Sequence, residues 1–302
     1  MSNADIQVLV TGGTGFIGVP LVRALGEYGH RVLVLTRQQS LKQQSDSKAR
    51  FITSLDEIDD DEQIDSIINL AGESLAARRW SAQQKEKLVS SRADTTHQLF
   101  RLAQRLQHKP AVLINGSAIG FYGPQGDQAL DESAPPVASF SQQLCQQWEA
   151  AAQEFESLGM RVCILRLGIV LGPDGGPFTE LRKSFDFGVA SQFADGKQWM
   201  SWIHRDDVIA IILFALQHAE IEGPINTTAP EPVTNAQFCS AMQNNKRTFI
   251  KLNLPPFLLR TMVGEMADEL LLTGQRVVPK KLLDSGYTFQ YPDLHAALRN
   301  LL

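Results

Sequence analysis

Cysteines and long apolar runs are scarce in this chain of 302 residues. Cys145, Cys163 and Cys239 lie far apart and form neither a C-x-x-C pair nor a metal-ligand spacing, so we expect no metal site. Their low number is typical of reduced thiols in the cytosol. The most apolar segment, 208–216, is too short to span a bilayer, and the N-terminus lacks the apolar core of a signal peptide. The sequence therefore predicts a cytoplasmic protein without a membrane partner.

An excess of positive charge is also lacking. The chain carries 28 Lys and Arg against 33 Asp and Glu, which gives a formal net charge of -5, and it has no long run of like charges. This balance argues against nucleic acid or an anionic membrane as the main partner. The length suffices for one large α/β domain with a smaller lobe, or for two domains.

The chain does contain a glycine-rich turn near its start. Residues 11–18 read TGGTGFIG, between an apolar run at 6–10 and a stretch with helical spacing. In such a strand–turn–helix unit, Gly12 permits the sharp turn, Gly15 lets amides approach phosphates, and Gly18 lets the helix pack on the strand. The helix N-terminus then favours a pyrophosphate. The unit predicts a dinucleotide site, the alternative being a turn without a ligand. The expected contacts are Gly12, Thr14, Gly15, Phe16, Ile17 and Gly18.

The end of the second predicted strand indicates which dinucleotide binds. In this type of fold the residue there meets the adenosine ribose, where a carboxylate favours NAD and a guanidinium accommodates the 2′-phosphate of NADP. The strand at 31–35 is followed by Thr36 and Arg37, and no Asp or Glu occurs before Asp46. We therefore predict NADP(H), while a solvated loop arginine is the alternative interpretation of Arg37.

Strand-like and helix-like segments alternate in the first half of the chain. Strands are predicted at 6–10, 31–35, near 51, 64–70, 111–116 and 161–165, and helices at 16–28, 82–106 and 141–158. A polar loop is expected at 38–50. Continuous apolar strands between helices are typical of a parallel sheet buried on both faces. The sequence therefore predicts an α/β fold with a doubly wound, Rossmann-type sheet in residues 1–172.

The pattern changes after Gly172, where Pro and Gly become common. Short helices are predicted at 178–187, 206–218, 236–244 and 256–272. We expect residues 173–302 to form a smaller, mostly helical substrate lobe. In open α/β sheets ligands bind outside the carboxyl ends of the strands, so the lobe is expected to cover that edge.

Six segments in a fixed order carry a resemblance to a known family. They are the TGGxGFIG turn at 11–18, a strand-four motif at 70–72, a serine-bearing segment at 117–123, a segment at 165–173, a lobe motif at 202–208 and a tail at 286–298. The chain resembles the extended short-chain dehydrogenase/reductase superfamily, in its atypical "epimerase family protein" branch related to NAD-dependent epimerases and dehydratases. The resemblance implies further cofactor contacts by Leu70, Ala71, Gly72, Arg92, Leu167 and Gly168. A plain strand-to-loop turn is the alternative for 70–72.

The chain departs from the superfamily pattern at its proton-transfer pair. None of its four tyrosines is followed four residues later by a lysine. By resemblance, Ser141 stands at the tyrosine position, Cys145 at the lysine position, and Arg92 where an asparagine is usual. The upstream serine is retained as Ser117, and we expect its hydroxyl to donate to a substrate oxygen. A turn-forming serine is the alternative.

Three residues are candidates to replace the missing pair: Cys145, Ser141 and Tyr122. A free cysteine has a pKa closer to neutrality than a tyrosine, and a nearby positive charge such as Arg92 would lower it further, so Cys145 is either a proton donor or thiolate, or a small buried residue. Tyr122 either projects into the same cleft as a substitute acid or only packs. Ser141 has no evident basic neighbour in the sequence.

Two functions remain open from the sequence. The first is an NADP(H)-dependent oxidoreductase or epimerase-like enzyme acting on a small polar substrate, a class that includes nucleotide-linked sugars. The second is a non-catalytic NADP(H) sensor or scaffold, which the loss of the Tyr/Lys pair favours. By analogy with the superfamily, two copies are expected to pair through the helices at 82–106 and 141–158.

Overall fold

The computed structural model of the protein describes residues 6–44 and 49–302. The strands are β1 (Gln7–Thr11), β2 (Arg31–Leu35), β3 (Ala49–Ile52), β4 (Ser66–Asn69), β5 (Val112–Ala118), β6 (Ala129–Leu130), β7 (Arg161–Leu167), β8 (Ile169–Leu171), β9 (Val189–Phe193), β10 (Trp199–Met200), β11 (Trp202–His204), β12 (Gly223–Thr227), β13 (Val233–Thr234), β14 (Ile250–Leu254) and β15 (Arg276–Val277).

Helices connect most of these strands. They are α1 (Gly18–Glu27), α2 (Ala82–Arg105), α3 (Phe140–Gln153), α4 (Gly176–Asp186), α5 (Arg205–Gln217), α6 (Asn235–Asn245), α7 (Pro256–Val263), α8 (Met266–Leu270), α9 (Lys280–Asp284) and α10 (Leu294–Leu301). Short 3-10 helices occur at Gln39–Gln44, Leu55–Glu57, Ile119–Tyr122 and Glu154–Leu158. Residues 45–48 of the predicted polar loop lie outside the described residues.

The centre of the fold is a seven-stranded parallel sheet in the order β12-β7-β5-β4-β1-β2-β3. Strand order reverses at β1, which pairs with β2 on one side and with β4 on the other. The predicted α/β, doubly wound fold is thereby confirmed. At this reversal the carboxyl ends of β1 and β4 diverge and leave a crevice, which is where open sheets of this kind bind ligands.

Both faces of the sheet are buried because side chains alternate along each strand. Val8 and Val10 of β1 pack with α1 and α5 on one face. Leu9, between them, packs on the other face with Leu99 of α2 and Ala152 of α3. Helices on both faces explain why the central strands read as continuous apolar runs.

The seventh strand was not predicted from the sequence. β12 comes from the expected C-terminal region, yet it pairs in parallel with β7 along its whole length. Its sequence, GPINT, has Ile225 as its one large apolar residue and therefore lacks the continuous apolar run of the other central strands. Residues 1–172 therefore do not build the sheet alone.

A smaller lobe of short helices and strand pairs packs at the carboxyl edge. Its core is formed by α4, α6 and α10, with β9 paired to β14. The helix predicted at 256–272 is wrong as a single element, because the chain turns at Gly264, with φ +69°, between α7 and α8. The helix predicted at 141–158 also changes to a 3-10 turn after Gln153.

Candidate functional site

The glycine turn after β1 is closely packed on its own backbone. A Cβ at Gly18 would lie 2.1 Å from the carbonyl oxygen of Gly12, and one at Gly12 would lie 2.6 Å from that of Leu70. Gly12 also has φ +70°, which L side chains rarely adopt. The amide of Gly15 donates to the Gly12 carbonyl at 3.0 Å. No larger residue fits at Gly12 or Gly18, so the turn shape depends on glycine itself.

The N-terminus of α1 is left open by the protein. Its N-cap residue, Ile17, provides no side-chain hydrogen bond, and the first turn contains no acidic residue. The turn around Gly15 is exposed, with Thr14 half-buried beside it. Backbone amides and the positive end of the helix dipole are therefore available to an anionic group.

The loop at 172–176 packs against the ring of Phe16 in the glycine turn. The ring of Phe16 lies where a Cβ at Gly172, Gly175 or Gly176 would come within 2.6–2.8 Å. Arg205 at the start of α5 donates to the Phe16 carbonyl, stacks 5.0 Å from its ring, and pairs with Asp174. Gly172 and Arg205 belong to the motif segments at 165–173 and 202–208, but their contact with the glycine turn was not predicted from the sequence, although the three glycines were a visible signal.

Thr36 and Arg37 emerge next to the turn. Thr11 pairs with Leu35, so the residues that follow β2 leave the sheet at the same edge. Thr36 is buried and its hydroxyl accepts the Gln38 amide at 3.1 Å, whereas Arg37 is exposed. A guanidinium at this point is free to meet an added phosphate.

The carboxyl end of β4 is fixed by a buried amide side chain. Asn69 accepts from the Thr11 hydroxyl at 2.6 Å and donates to Thr96 at 3.0 Å and to Asn115 at 2.6 Å. These bonds join β1, β4, β5 and α2. Asn69 thereby holds the backbone of Leu70, Ala71 and Gly72 beside the glycine turn; these three residues form the β4 loop.

Ser117 belongs to a buried polar network. Its hydroxyl donates to Glu149 at 2.6 Å, and Glu149 accepts two hydrogen bonds from Arg166, at 2.9 and 3.0 Å. Both charged side chains are about 5% exposed or less. Because its proton is directed to Glu149, the Ser117 hydroxyl has only lone pairs to offer elsewhere. This corrects the expected role of Ser117 as a donor to a substrate oxygen.

Tyr122 extends the same network and does not face the cleft. Its hydroxyl donates to Asn226 at 2.6 Å and accepts from Arg166 at 3.0 Å, and its side chain is fully buried. Burial raises the pKa of Tyr122. The expectation of an exposed substitute acid is therefore contradicted.

The pKa of Cys145 is raised, whereas a thiolate at neutral pH requires a lowered pKa. Burial, assisted by the negative charge of Glu149, raises the pKa of Cys145 to about 12, and the charge of Arg92 lowers it only slightly in comparison. Arg92 lowers the pKa as expected, but the net pKa of Cys145 is raised, because the cost of desolvating a thiolate outweighs one nearby cation. At neutral pH Cys145 is a protonated thiol.

The C-terminal region covers Ser141 and Cys145. Glu269 of α8 accepts the amides of Phe140 and Ser141, at 2.8 and 2.9 Å, and so caps α3. Met266 packs in one cluster with Cys145. The Ser141 hydroxyl is buried without a hydrogen-bond partner. These groups lie under α8 rather than in an open cleft.

Leu167 and Gly168 end β7 at the same edge of the sheet. The Gly168 amide donates to Thr227 at 3.0 Å, and a Cβ at Gly168 would lie 2.5 Å from the Ser201 carbonyl oxygen. Both residues are half-buried. Across residues 6–44 and 49–302, no cluster of three His, Cys, Asp or Glu side chains suits a metal ion, and no helix is long and apolar enough to cross a membrane.

Comparison with known proteins accounts for this arrangement. The profile of the NAD dependent epimerase/dehydratase family matches residues 8–227, and a domain of unknown function, DUF1731, matches residues 254–301. The chain belongs to the NAD dependent epimerase/dehydratase family. The resemblance inferred from the sequence motifs is confirmed, and the family match includes β12, which the predicted boundary at 172 had separated from the sheet.

Individual relatives and solved structures agree with this family assignment. The epimerase family protein ML0860 of Mycobacterium leprae is 36% identical over 295 residues, covering 96% of this chain and 94% of that protein. Human epimerase family protein SDR39U1 (isoform 2), crystallised with NADPH, is 30% identical with a TM-score of 0.85, covering 98% and 99% of the two chains. UDP-glucuronic acid 4-epimerase from Bacillus cereus, in complex with UDP-glucuronic acid and NAD, covers 97% of each chain at 21% identity and a TM-score of 0.77, which shows the fold alone.

Proposed function

We propose that this epimerase-family chain binds NADP(H) and acts as an oxidoreductase or epimerase-like enzyme on a small polar substrate. The observation that carries the proposal is the uncapped N-terminus of α1, behind a turn in which Gly12 and Gly18 leave no room for a Cβ. The residues present fit a pyrophosphate, because amides and the helix dipole are available there and no acidic side chain competes. The remaining proposed contacts of this turn with the pyrophosphate are Thr14, Gly15, Phe16 and Ile17.

Arg37 supports NADP(H) over NAD(H). It is exposed beside the glycine turn, and residues 37–44 contain no carboxylate that would bind a ribose 2′-hydroxyl. The human relative at 30% identity was crystallised with NADPH. We assign the remaining cofactor contacts to Thr36, to the β4 loop, to Leu167 and to Gly168. The contact that the resemblance implies for Arg92 is not included, because both terminal nitrogens of Arg92 already donate to backbone carbonyls. A nicotinamide cofactor, when bound, supplies the hydride chemistry.

The chain's own groups would then orient the substrate and handle the proton. Ser117 presents lone pairs and accepts a hydrogen bond from a substrate hydroxyl, because Glu149 holds its proton. Cys145, protonated at neutral pH, is the proposed proton donor, with Ser141 beside it on α3. Met266 and Glu269 of α8 would exclude water from these two residues. A nucleotide-linked sugar is within the proposed substrate class, as in the Bacillus cereus epimerase complex.

A non-catalytic NADP(H) sensor is the second candidate. It is favoured by the burial of Ser117, Tyr122 and Cys145, each at most 2% exposed. In that case the glycine turn would bind the nucleotide while the groups on α3 only hold the helix in place. An oxidation assay separates the enzyme from the sensor. A panel of carbonyl compounds is added to protein-bound NADPH, and oxidation of the NADPH is followed by its near-ultraviolet absorbance. An unchanged absorbance with every compound favours the sensor.

Calorimetric titration with NADPH and NADH tests the cofactor assignment. We expect NADPH to bind about tenfold or more tightly than NADH, since a charge-assisted guanidinium–phosphate contact is gained. Arg37→Gln should abolish this preference and leave NADH affinity unchanged, whereas Arg23→Gln, at an exposed position on α1, should change neither. Equal affinity of the unmodified protein for the two nucleotides, or a preference for NADH, would contradict the proposal.

Three coarser expectations accompany this function. We propose a cytoplasmic location, in keeping with three separate free thiols. We propose a cofactor region at 1–172, joined by β12, and a substrate region in the remainder of 173–302. Pairing of two copies through the outer faces of α2 and α3 is proposed by analogy, and sedimentation velocity measures it directly.

A further inference from the structure

Arg92 is a buried cation without an anionic partner. Its side chain lies on α2 and is only 9% exposed, and burial lowers the pKa of Arg92. An arginine side chain nevertheless stays protonated in proteins. Among the described residues no carboxylate forms an ion pair with it. Glu73, the carboxylate whose charge raises the pKa of Arg92, pairs instead with Lys87 at 3.1 Å. A buried charge without a counter-charge is costly, so its retention calls for an explanation.

The hydrogen bonds of Arg92 do not supply that counter-charge. One terminal nitrogen donates to the Leu88 carbonyl at 2.9 Å and the other to the Glu73 carbonyl at 3.0 Å, while the Nε–H has no partner. Backbone carbonyls are neutral acceptors. They fix the guanidinium in place, but they leave its charge and its third donor direction unused.

Further unpaired donors share the interface of α2 and α3, which we call the α2–α3 seam. Gln84 and Arg92 are eight residues apart on one face of α2, and Trp148 of α3 has its indole 5.1 Å from the guanidinium. Gln84 Nε2 and Trp148 Nε1 are buried without an acceptor, as is the Ser141 hydroxyl. The seam therefore has a surplus of donors as well as a surplus of positive charge.

The seam lies at the ligand-binding edge of the sheet. A Cβ at Gly72, in the exposed part of the β4 loop, would lie 2.9 Å from the Arg92 Cζ. A Cβ at Gly120, just after β5, would lie 3.1 Å from Ser141 Cβ and 3.7 Å from Cys145 Sγ. Glycine backbone therefore lies directly against this charge at Gly72 and against the proposed reacting groups at Gly120.

We infer that Arg92 binds an oxyanion, a carboxylate or a phosphate, carried by the small-molecule substrate. The inference rests on the proposed function for the position of the substrate, and it narrows that substrate to an anionic one. A planar guanidinium with a free Nε–H matches the geometry of such groups. An oxyanion oxygen would accept the unpaired Nε–H of Arg92 and supply the missing negative charge in one step.

Binding to the NADP⁺-saturated protein tests the inference. The probes are phenylglyoxylate, its uncharged amide phenylglyoxamide, and inorganic phosphate, each titrated by calorimetry. We expect phenylglyoxylate or phosphate to bind and the amide not to bind. Arg92→Met should weaken the anion about tenfold or more, whereas Arg101→Gln, at an exposed position on the same helix, should leave its affinity unchanged. Absence of binding by both anions, or equal binding by the Arg92→Met variant, overturns the inference.

Two controls separate this inference from other roles of Arg92. NADPH affinity should be the same in Arg92→Met and unmodified protein; a loss there, with anion binding intact, assigns Arg92 to the cofactor instead and overturns the inference. The melting temperature of Arg92→Met should equal or exceed that of the unmodified protein, because an unpaired buried charge is removed. A large fall in the melting temperature would show that Arg92 only stabilises the fold, which overturns the inference. Failure of NADPH binding in the unmodified protein would contradict the proposed function separately.

Discussion

The glycine turn and the α2–α3 seam lie at the same edge of one sheet but are built in opposite ways. At the turn, backbone atoms do the work: Gly12 and Gly18 fix the shape, and no side chain caps α1. In the seam, polar side chains are buried between two helices, and Gln84, Arg92, Ser141 and Trp148 each have a polar atom without a hydrogen-bond partner. The first region is therefore built from backbone, whereas the second is built from side chains that the protein leaves partly unpaired.

The largest expected effect comes from placing a methyl group in the turn. In Gly18→Ala the new Cβ would lie 2.1 Å from the Gly12 carbonyl oxygen, so the turn must move. We expect NADPH affinity to fall about a thousandfold, equivalent to about 4 kcal/mol, with stability reduced by about 1–3 kcal/mol. Calorimetry and urea denaturation measure the two.

Gly126→Ala is the control for this prediction. Gly126 has a φ of +62°, unlike Gly18, but nothing lies within 4 Å of its ideal Cβ, so an added methyl group meets no neighbour. Only backbone strain of about 1–2 kcal/mol is expected, with NADPH binding unchanged. Retained affinity in Gly18→Ala would show that the turn is not the binding site, and the comparison of the two regions would fail.

The next effect addresses the network behind Ser117. Glu149→Gln breaks a buried ion pair and leaves Arg166 unpaired, so we expect a loss of about 3–5 kcal/mol in the free energy of unfolding. The single variants Glu149→Leu and Arg166→Met should each be destabilised in the same way, and the double variant that combines these two substitutions should lose less than their sum. NADPH affinity should remain unchanged, because no member of the network contacts the turn. Additive losses in urea denaturation would contradict a coupled pair.

How far the sequence predicts each region follows from the same difference. The turn was predictable because its chemistry lies in glycine spacing along one continuous segment, and the strand–turn–helix order specifies the rest. The seam was not, because the pKa of Cys145 depends on burial and on Glu149, and the orientation of Ser117 depends on Arg166 of β7. Those contacts are long-range, and a residue's position in a motif does not contain them.

A third prediction uses pH to separate a buried thiol from a reactive one. The pKa of Cys145 is raised from 9.0 to about 12 in the folded protein, so unfolding releases a proton above pH 9. The thiol's contribution to stability is present below pH 9 and is lost as pH rises toward 12. Relative to Cys145→Ala, the free energy of unfolding of the unmodified protein should fall by about 2 kcal/mol between pH 8 and pH 10.5. Parallel stability curves would show that the thiolate is tolerated, as a reactive cysteine requires.

The smallest expected effect concerns the cover over the seam. Glu269→Gln replaces the carboxylate that accepts the Phe140 and Ser141 amides with a neutral acceptor, so the helix dipole of α3 loses a favourable charge, worth about 0.3–1 kcal/mol. If α8 shields the seam, alkylation of Cys145, followed by peptide mass spectrometry, should quicken in this variant while that of Cys239 stays constant. Glu265→Gln, which removes only an ion pair of α8 with Lys85 at 2.6 Å, is the control. An equal increase in the alkylation rates of Cys145 and Cys239 would indicate general loosening of the fold. In that case α8 would not protect the seam specifically.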